Sequence, residues 1–193
     1  FSVCFPQFRE SARWRRKALR IFVREVERQI FRDGVNKEQA TGYHRFVVDF
    51  ILLVMRLGEL NGVALPPVLR ERLEAMLEYE QHMLPPDNRV PQVGDCDDGR
   101  GVLLGEHDAF FDFRGWQAVG AVWFGRDEFA RAAAGGTEEA VWLLGADGWR
   151  AFQAMRPGAE PRASRLFPEG GQAILRTGDG PRDSYVHTRC GPF

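Results

Sequence analysis

Cysteine is scarce in this 193-residue chain: Cys4, Cys96 and Cys190 are the only three, and they lie far apart. They lack both the Cys-x-x-Cys spacing of a zinc site and the density of a disulfide scaffold. Net charge is also nearly absent, because 26 basic residues oppose 27 acidic ones and leave a formal charge of -1. Without a strong global field, binding to nucleic acid is not expected, and local basic patches must provide any anion binding.

Long hydrophobic runs are lacking as well. The longest apolar stretch, residues 46–57, contains Asp49 and Arg56 and is too short to cross a bilayer as a helix, so we expect no membrane insertion. The chain begins at Phe1 rather than Met and stops directly after a strand-like pattern. We therefore expect it to be a piece of a longer protein, and the missing leader says nothing about export.

Helical periodicity dominates the first 156 residues. Residues 9–32 repeat apolar side chains every four positions, which predicts an amphipathic helix that Asp33-Gly34 ends. Residues 42–60 form a second predicted helix, which is apolar around nearly its whole circumference, so we expect burial on most sides. Pro66-Pro67 opens a third helix and Pro85-Pro86 ends it. Shorter helices are predicted at 111–124, 126–134, 138–144 and 147–155.

A long loop at residues 87–107 follows the third helix, and loops of this length are often functional. The pattern changes after Pro157, where an apolar run at 173–175 and an alternating stretch at 184–188 indicate two strands. The sequence therefore predicts a mainly α protein of paired antiparallel helices, followed by the first strands of a sheet.

Three segments of the chain resemble the heparinase II/III family and related alginate lyases. They are residues 33–44 (DGVNKEQATGYH), 94–100 (GDCDDGR) and 166–176 (LFPEGGQAILR), in the order in which the family carries them. The second resembles the family's aspartate-rich loop, Gly-Asp-x-Asp-x-Gly-Arg. The resemblance implies part of an incomplete α/α toroid at residues 1–160 and the truncated start of an antiparallel β-sandwich at residues 161–193.

The same resemblance implies a bacterial polysaccharide lyase, periplasmic or secreted and without a cofactor. Its substrate would be an acidic, uronate-containing polysaccharide such as a glycosaminoglycan or alginate, cleaved by β-elimination. The family also carries an Asn-His pair, expected upstream of Phe1, and a His-rich β-domain segment, expected after Phe193. We therefore expect the fragment alone to be inactive, and its oligomeric state stays open.

Tyr43 is the residue that the resemblance makes catalytic. β-Elimination needs a base for the C5 proton, a group that neutralises the enolate-like carboxylate, and an acid for the departing O4. A tyrosine can act as acid and base if nearby cations lower its pKa from about 10. Tyr43 lies just inside a predicted helix start, where the helix dipole favours negative charge, and His44 and Arg45 adjoin it. The alternative is a packing residue whose hydroxyl finds a hydrogen-bond partner.

Six further residues are predicted to bind the substrate or to support the site. His44 points about 100° around the helix from Tyr43, which favours a supporting or structural role. The position of Glu38 and Gln39 favours helix capping over contact with sugar hydroxyls. The six residues are Glu38, Gln39, His44, Asp95, Asp97 and Arg100.

The aspartates of residues 94–100 raise two sharper alternatives, a calcium site and a glycosidase-type acid/base pair. Calcium loops need more widely spaced oxygen ligands, so no metal site is predicted. The favoured interpretation is that Asp95, Asp97 and Asp98 bond loop amides and pair with Arg100, with possible contact to the sugar.

Two other functions stay open at this point. The first is a glycoside hydrolase on an α/α toroid that uses Asp95 or Asp97 with Glu38. The second is an inactive glycan-binding or assembly protein on the same toroid. The tryptophans at helical spacing could be sugar-stacking platforms but are more often core residues; they are Trp116, Trp123, Trp142 and Trp149.

Overall fold

The computed structural model describes residues 1–85, 87, 89–95, 99–105 and 112–191. Six helices precede three strands in the described chain. The helices are α1 (Ser11–Gln29), α2 (Thr41–Leu60), α3 (Pro67–Met83), α4 (Arg114–Phe124), α5 (Asp127–Ala133) and α6 (Glu138–Ala154). The strands are β1 (Arg165–Phe167), β2 (Gln172–Arg176) and β3 (Tyr185–Arg189). The predicted fold class, mainly α with a small antiparallel sheet after the helices, is confirmed.

Local sequence explains where most helices begin and end. α1 stops before the predicted residue 32 because Ile30 forms a β-bridge with Asn36, across a turn in which Gly34 has a φ of 88°. Pro67 occupies the first turn of α3, where its missing N–H costs nothing. The two helices predicted at 138–144 and 147–155 form one element, α6, broken at Gly145 by non-helical backbone angles.

The main core lies between α2, α3 and the α4–α6 group. From α2 it takes Val48, Ile51 and Leu52, all at most 1% exposed. The opposite side of α2 is open, because Phe50 is 42% exposed and Phe46 is only half-buried. The helix is therefore buried on most of its sides and has one open face, which an apolar composition alone could not identify.

The sheet has the order β1-β2-β3 with antiparallel pairing throughout. Phe167 pairs with Gln172, and Ile174 pairs with His187. Two strands were predicted, and the third, β1, was missed because three residues are too few to display alternation. Phe167 and Ile174 are buried and pack with Tyr79 of α3 in a second, smaller core.

Arginines dock the sheet on the carboxyl end of α3. Arg176 donates from Nη2 to the carbonyl oxygens of His82 and Leu84, and Arg162 donates from Nη1 to the Gln81 carbonyl at 2.6 Å. The last carbonyls of a helix have no intrahelical partner and carry partial negative charge, so cations are stabilising there. Throughout the described residues, the helices are too short or too polar to span a membrane.

Candidate functional site

Tyr43 is the third residue of α2 and is half-buried at the edge of a groove between α1 and α2. The groove measures about 630 Å³ and is mostly apolar. Tyr43 thus lies at an open surface rather than in the core. We name this surface the Tyr43 groove; its lining is Phe22, Glu25, Val26, Gln29, Glu38, Tyr43, Phe46, Val47, Phe50 and Ile51.

Asn36 shapes the chain directly before Tyr43. Its Oδ1 accepts the Glu38 amide at 3.2 Å, its carbonyl accepts the Gln39 amide at 2.9 Å, and its Nδ2 donates to the Tyr43 carbonyl at 3.3 Å. Gln39 has a φ of 52°, a left-handed conformation that is uncommon outside glycine. Asn36 is 1% exposed and was missed by the sequence analysis, although asparagine bonding to the amide two residues on is a recognisable turn signal.

The start of α2 is hydrogen-bonded to residues 91–93 of the long loop predicted at residues 87–107, which contains the aspartates and which we name the aspartate loop. The N-cap residue, Ala40, has no side chain that can cap, and the Thr41 amide donates to the Val93 carbonyl at 2.9 Å instead. Thr41 Oγ1 also donates to the Pro91 carbonyl at 2.8 Å and accepts the Val93 amide at 3.1 Å. Asp95, two residues after Val93, is exposed. The loop therefore enters at the helix end that carries Tyr43.

The far flank of the aspartate loop meets α2 on another face. The Gly101 amide donates to Asp49 Oδ2 at 2.7 Å. Asp49 is six residues after Tyr43, about 240° further around the helix, so this flank and the adjoining Arg100 lie off the Tyr43 face. Burial raises the pKa of Asp49 to about 6, although the hydrogen bond from Gly101 and the positive charge of Arg45 both act to lower it. The predicted site residue Asp97 lies outside the described residues.

Arg45 adjoins Tyr43 in the sequence, which suggested that its charge supports the tyrosine. Its side chain instead points into the core. Its side chain is fully buried; Nη2 pairs with Glu139 Oε1 at 2.9 Å, and Nη1 donates to the Asp112 carbonyl at 2.8 Å. The guanidinium also lies 4.6 Å from the Trp116 ring centre. Its charge is therefore neutralised in the core, and the described lining of the Tyr43 groove contains two acids, Glu25 and Glu38, and no cation.

His44 and Gln39 are buried, whereas Glu38 is exposed. The His44 ring packs edge-on against Tyr79 with 5.2 Å between ring centres. Burial lowers the pKa of His44 to about 4, partly offset by a backbone group of Met76, so the ring is neutral at neutral pH. Such surroundings fit the supporting role that the helical spacing predicted.

The tryptophans divide between core and surface. Trp116 is fully buried, whereas Trp142 is 64% exposed and its Nε1 donates to Glu138 Oε1 at 3.2 Å. Within the described ranges, no group of three or more histidine, cysteine, aspartate or glutamate side chains is arranged to hold a metal ion.

Curated relatives of the chain carry the name heparin-sulfate lyase. One from Bacteroides stercoris is 24% identical over 191 residues, which cover 97% of this chain and 25% of the relative. Another from Bacteroides thetaiotaomicron is 30% identical over 99 residues, covering 47% of this chain and 14% of the relative. The chain thus spans at most about a quarter of the length of these proteins.

Solved structures show the same fold. The heparan sulfate lyase HepC from Pedobacter heparinus aligns with 99% of this chain and 26% of its own, at a TM-score of 0.69 and 20% identity. A structure named Heparinase III aligns with 97% of this chain and 27% of its own, at a TM-score of 0.69 and 19% identity. The family model described as the heparinase II/III N-terminus matches residues 1–111, and this chain therefore belongs to the heparinase II/III family.

Proposed function

We propose that the protein is a polysaccharide lyase that cleaves an acidic, uronate-containing polysaccharide by β-elimination, with Tyr43 as the acid and base. The observation that carries the proposal is the position of Tyr43: within a chain of this family, it is half-buried at an open groove on the first turn of α2. A packing tyrosine would instead resemble Tyr79, which is 5% exposed in the core.

The proposed reaction breaks the C4–O4 bond of the uronate. A base removes the C5 proton, the electron pair forms a C4=C5 double bond, and O4 leaves with a proton. Tyr43 donates that proton to O4 and, in the phenolate form, accepts the proton from C5. The positive end of the α2 dipole favours the phenolate, since the effect is confined to the first helical turn.

The described lining of the Tyr43 groove has no group that could neutralise the uronate carboxylate. Glu25 and Glu38 would repel it, and Arg45 is held by Glu139. Because Arg100 lies off the Tyr43 face, the proposal places that group in a part of the protein outside this chain. Gln39 and His44 position the helix start because they are buried, while Glu38, Asp95, Asp97 and Arg100 stay proposed sugar contacts.

We further propose how the chain is divided into two domains. Residues 1–160 form part of an incomplete α/α toroid, and residues 161–193 begin an antiparallel β-sandwich, so the active site is completed between the two. The relatives' name, heparin-sulfate lyase, favours a sulfated glycosaminoglycan as substrate over alginate.

Incubation of the full-length natural protein with heparan sulfate and with alginate, in separate reactions, tests the reaction class. Lyase action creates a conjugated unsaturated uronate, so ultraviolet absorbance rises in step with new reducing ends. Heparan sulfate is expected to give the faster rise. New reducing ends without that absorbance would indicate a hydrolase, and neither signal on any uronate polymer would indicate a glycan-binding protein.

A further inference from the structure

A second groove, of about 500 Å³, lies along α1 and reaches Pro66, the N-cap residue of α3. Arg16, Arg20 and Arg24 line it at a four-residue step, and Leu19, Val23 and Pro66 are the apolar residues of its lining. Four residues advance a helix by about 6 Å and return nearly to the same face, so the three guanidinium groups follow one row about 12 Å long. We name this surface the basic groove.

The basic groove carries a surplus of positive charge. Glu27 is the one acid in its described lining, against three arginines. Arg24 pairs with Glu25 at 2.9 Å, whereas Arg16 and Arg20 form no ion pair with any residue that the structure describes. Lys17 is exposed beside them and adds to the same charge.

The row of three arginines lowers the stability of α1, and a bound anion would relieve the repulsion between them. Like charges one turn apart repel and destabilise a helix slightly. Guanidinium groups match carboxylate and sulfate oxygens with two parallel hydrogen bonds. The apolar side chains of Leu19 and Val23 can pack against the C–H face of a sugar ring, so the groove offers both kinds of contact that an anionic sugar chain makes.

The basic groove lies on the flank of α1 away from the Tyr43 groove. From α1, the Tyr43 groove takes Phe22, Glu25, Val26 and Gln29, none of which lines the basic groove. We propose that the basic groove is a second binding site for the anionic polysaccharide, which holds a long chain on the protein away from the reacting sugar. This inference takes its ligand class from the proposed function.

Equilibrium binding to immobilised heparan sulfate at low ionic strength tests the proposal, with every full-length protein carrying Tyr43→Phe so that the ligand is not cleaved during the measurement. The combined variant Arg16→Gln, Arg20→Gln, Arg24→Gln is expected to bind about tenfold more weakly, since three exposed charge contacts of modest strength are lost together. The matched control, Arg150→Gln, Arg156→Gln, Arg182→Gln, removes the same charge at exposed positions elsewhere and is expected to lose less than about threefold.

Glu27→Gln is a second variant, which tests the proposal through a gain in binding affinity rather than a loss. Removing the one acid of the groove's described lining should tighten binding about twofold, an effect that misfolding cannot imitate. Equal weakening in both triple variants would overturn the proposal, as would groove-dependent binding of a DNA oligonucleotide more tightly than of heparan sulfate at the same salt. Because binding needs no turnover, absence of the unsaturated product would count against the proposed function alone.

Discussion

Several ionisable side chains lie on the buried faces of α2 and α3. Glu80 is fully buried, and burial raises its pKa to about 8 although Gln117 Nε2 donates to Oε1 at 3.1 Å. Burial has the opposite effect on histidine, and the pKa values of His44 and His82 are lowered to about 4. Each of these groups is therefore neutral in part of the range where it would be charged in the unfolded chain.

Glu80 makes stability fall as pH rises toward about 8. Its folded pKa of about 8 exceeds its ordinary value of 4.5, so the folded protein keeps a proton that the unfolded chain releases. The stabilisation is complete below 4.5 and is lost as pH rises through about 8. His44 and His82 act in the opposite sense, between about 4 and 6.5, so the window above 6.5 isolates Glu80.

The corresponding prediction is that Glu80→Gln flattens the decline in melting temperature between pH 6.5 and 8, since a glutamine oxygen can still accept the bond from Gln117. Glu71→Gln, on the exposed side of the same helix, is the control and should keep the natural slope. Thermal unfolding of each full-length variant at several pH values measures this slope of melting temperature against pH. A slope in Glu80→Gln equal to that of the control would contradict the account.

The role of a residue could be predicted from the sequence where neighbouring residues form a recognisable pattern. It could not be predicted where the role depends on a contact with a residue far along the chain. Tyr43 was singled out because it sits within a recognisable segment, and its helical environment was predicted from spacing. The pairing of Arg45 with Glu139 joins residues 94 apart, so no local pattern reveals it. For the same reason, the contact of Asp49 with Gly101 was not anticipated.

Among the elements, the turn that joins α1 to α2 constrains the position of Tyr43 most directly. Gly34 has a φ of 88°, and a side chain there would collide with the backbone of Ala75 in α3. Asp33 Oδ2 accepts the Gly170 amide at 2.9 Å, which ties the same turn to the sheet. The turn therefore holds the start of α2 against both α3 and the sheet.

Gly34→Ala is expected to lower the free energy of unfolding by about 3 kcal/mol, since it combines left-handed strain with a steric clash. Gly62→Ala is the matched control: Gly62 has a φ of 61°, but a side chain there meets nothing within 4 Å. That variant should lose only about 1 kcal/mol, from backbone strain alone. Denaturant unfolding of both variants measures the difference, and equal losses would mean that close packing on α3 contributes nothing.

Element type was more predictable than element surroundings. Hydrophobic period predicted the helices and the later change to strands, because it follows directly from backbone geometry. It could not show which side of α2 faces the core, since Phe50 and Ile51 are both apolar although Phe50 is exposed and Ile51 is buried. The kink at Gly145 was anticipated as a boundary because glycine there interrupts the helical pattern.

At the scale of the whole molecule, the helices and the sheet are joined by charged contacts as well as by a small core. Arg176 and Arg162 both bind Asp179 and also reach backbone carbonyls at the end of α3. Tyr185 adds a hydrogen bond from its hydroxyl to the Met83 carbonyl at 3.0 Å. These contacts fix the sheet at the carboxyl end of α3.

The 193-residue chain on its own is expected to give no unsaturated product from heparan sulfate. The described Tyr43 groove lacks a cation for the uronate carboxylate, and the chain spans about a quarter of the length of its relatives. Circular dichroism of the isolated chain, compared with the full-length protein, checks that helices are present. Turnover by the isolated chain at a rate near that of the full-length protein would show that the site is complete within these residues.

The most direct test of the account compares two tyrosine variants of the full-length natural protein. Tyr43→Phe removes the hydroxyl but keeps the ring, so turnover should fall by roughly two to four orders of magnitude with little change in melting temperature. Tyr185→Phe removes a hydroxyl that donates to the Met83 carbonyl, a structural contact, so stability should fall by about 1 kcal/mol while turnover persists. Near-natural turnover in Tyr43→Phe would contradict the catalytic role of Tyr43.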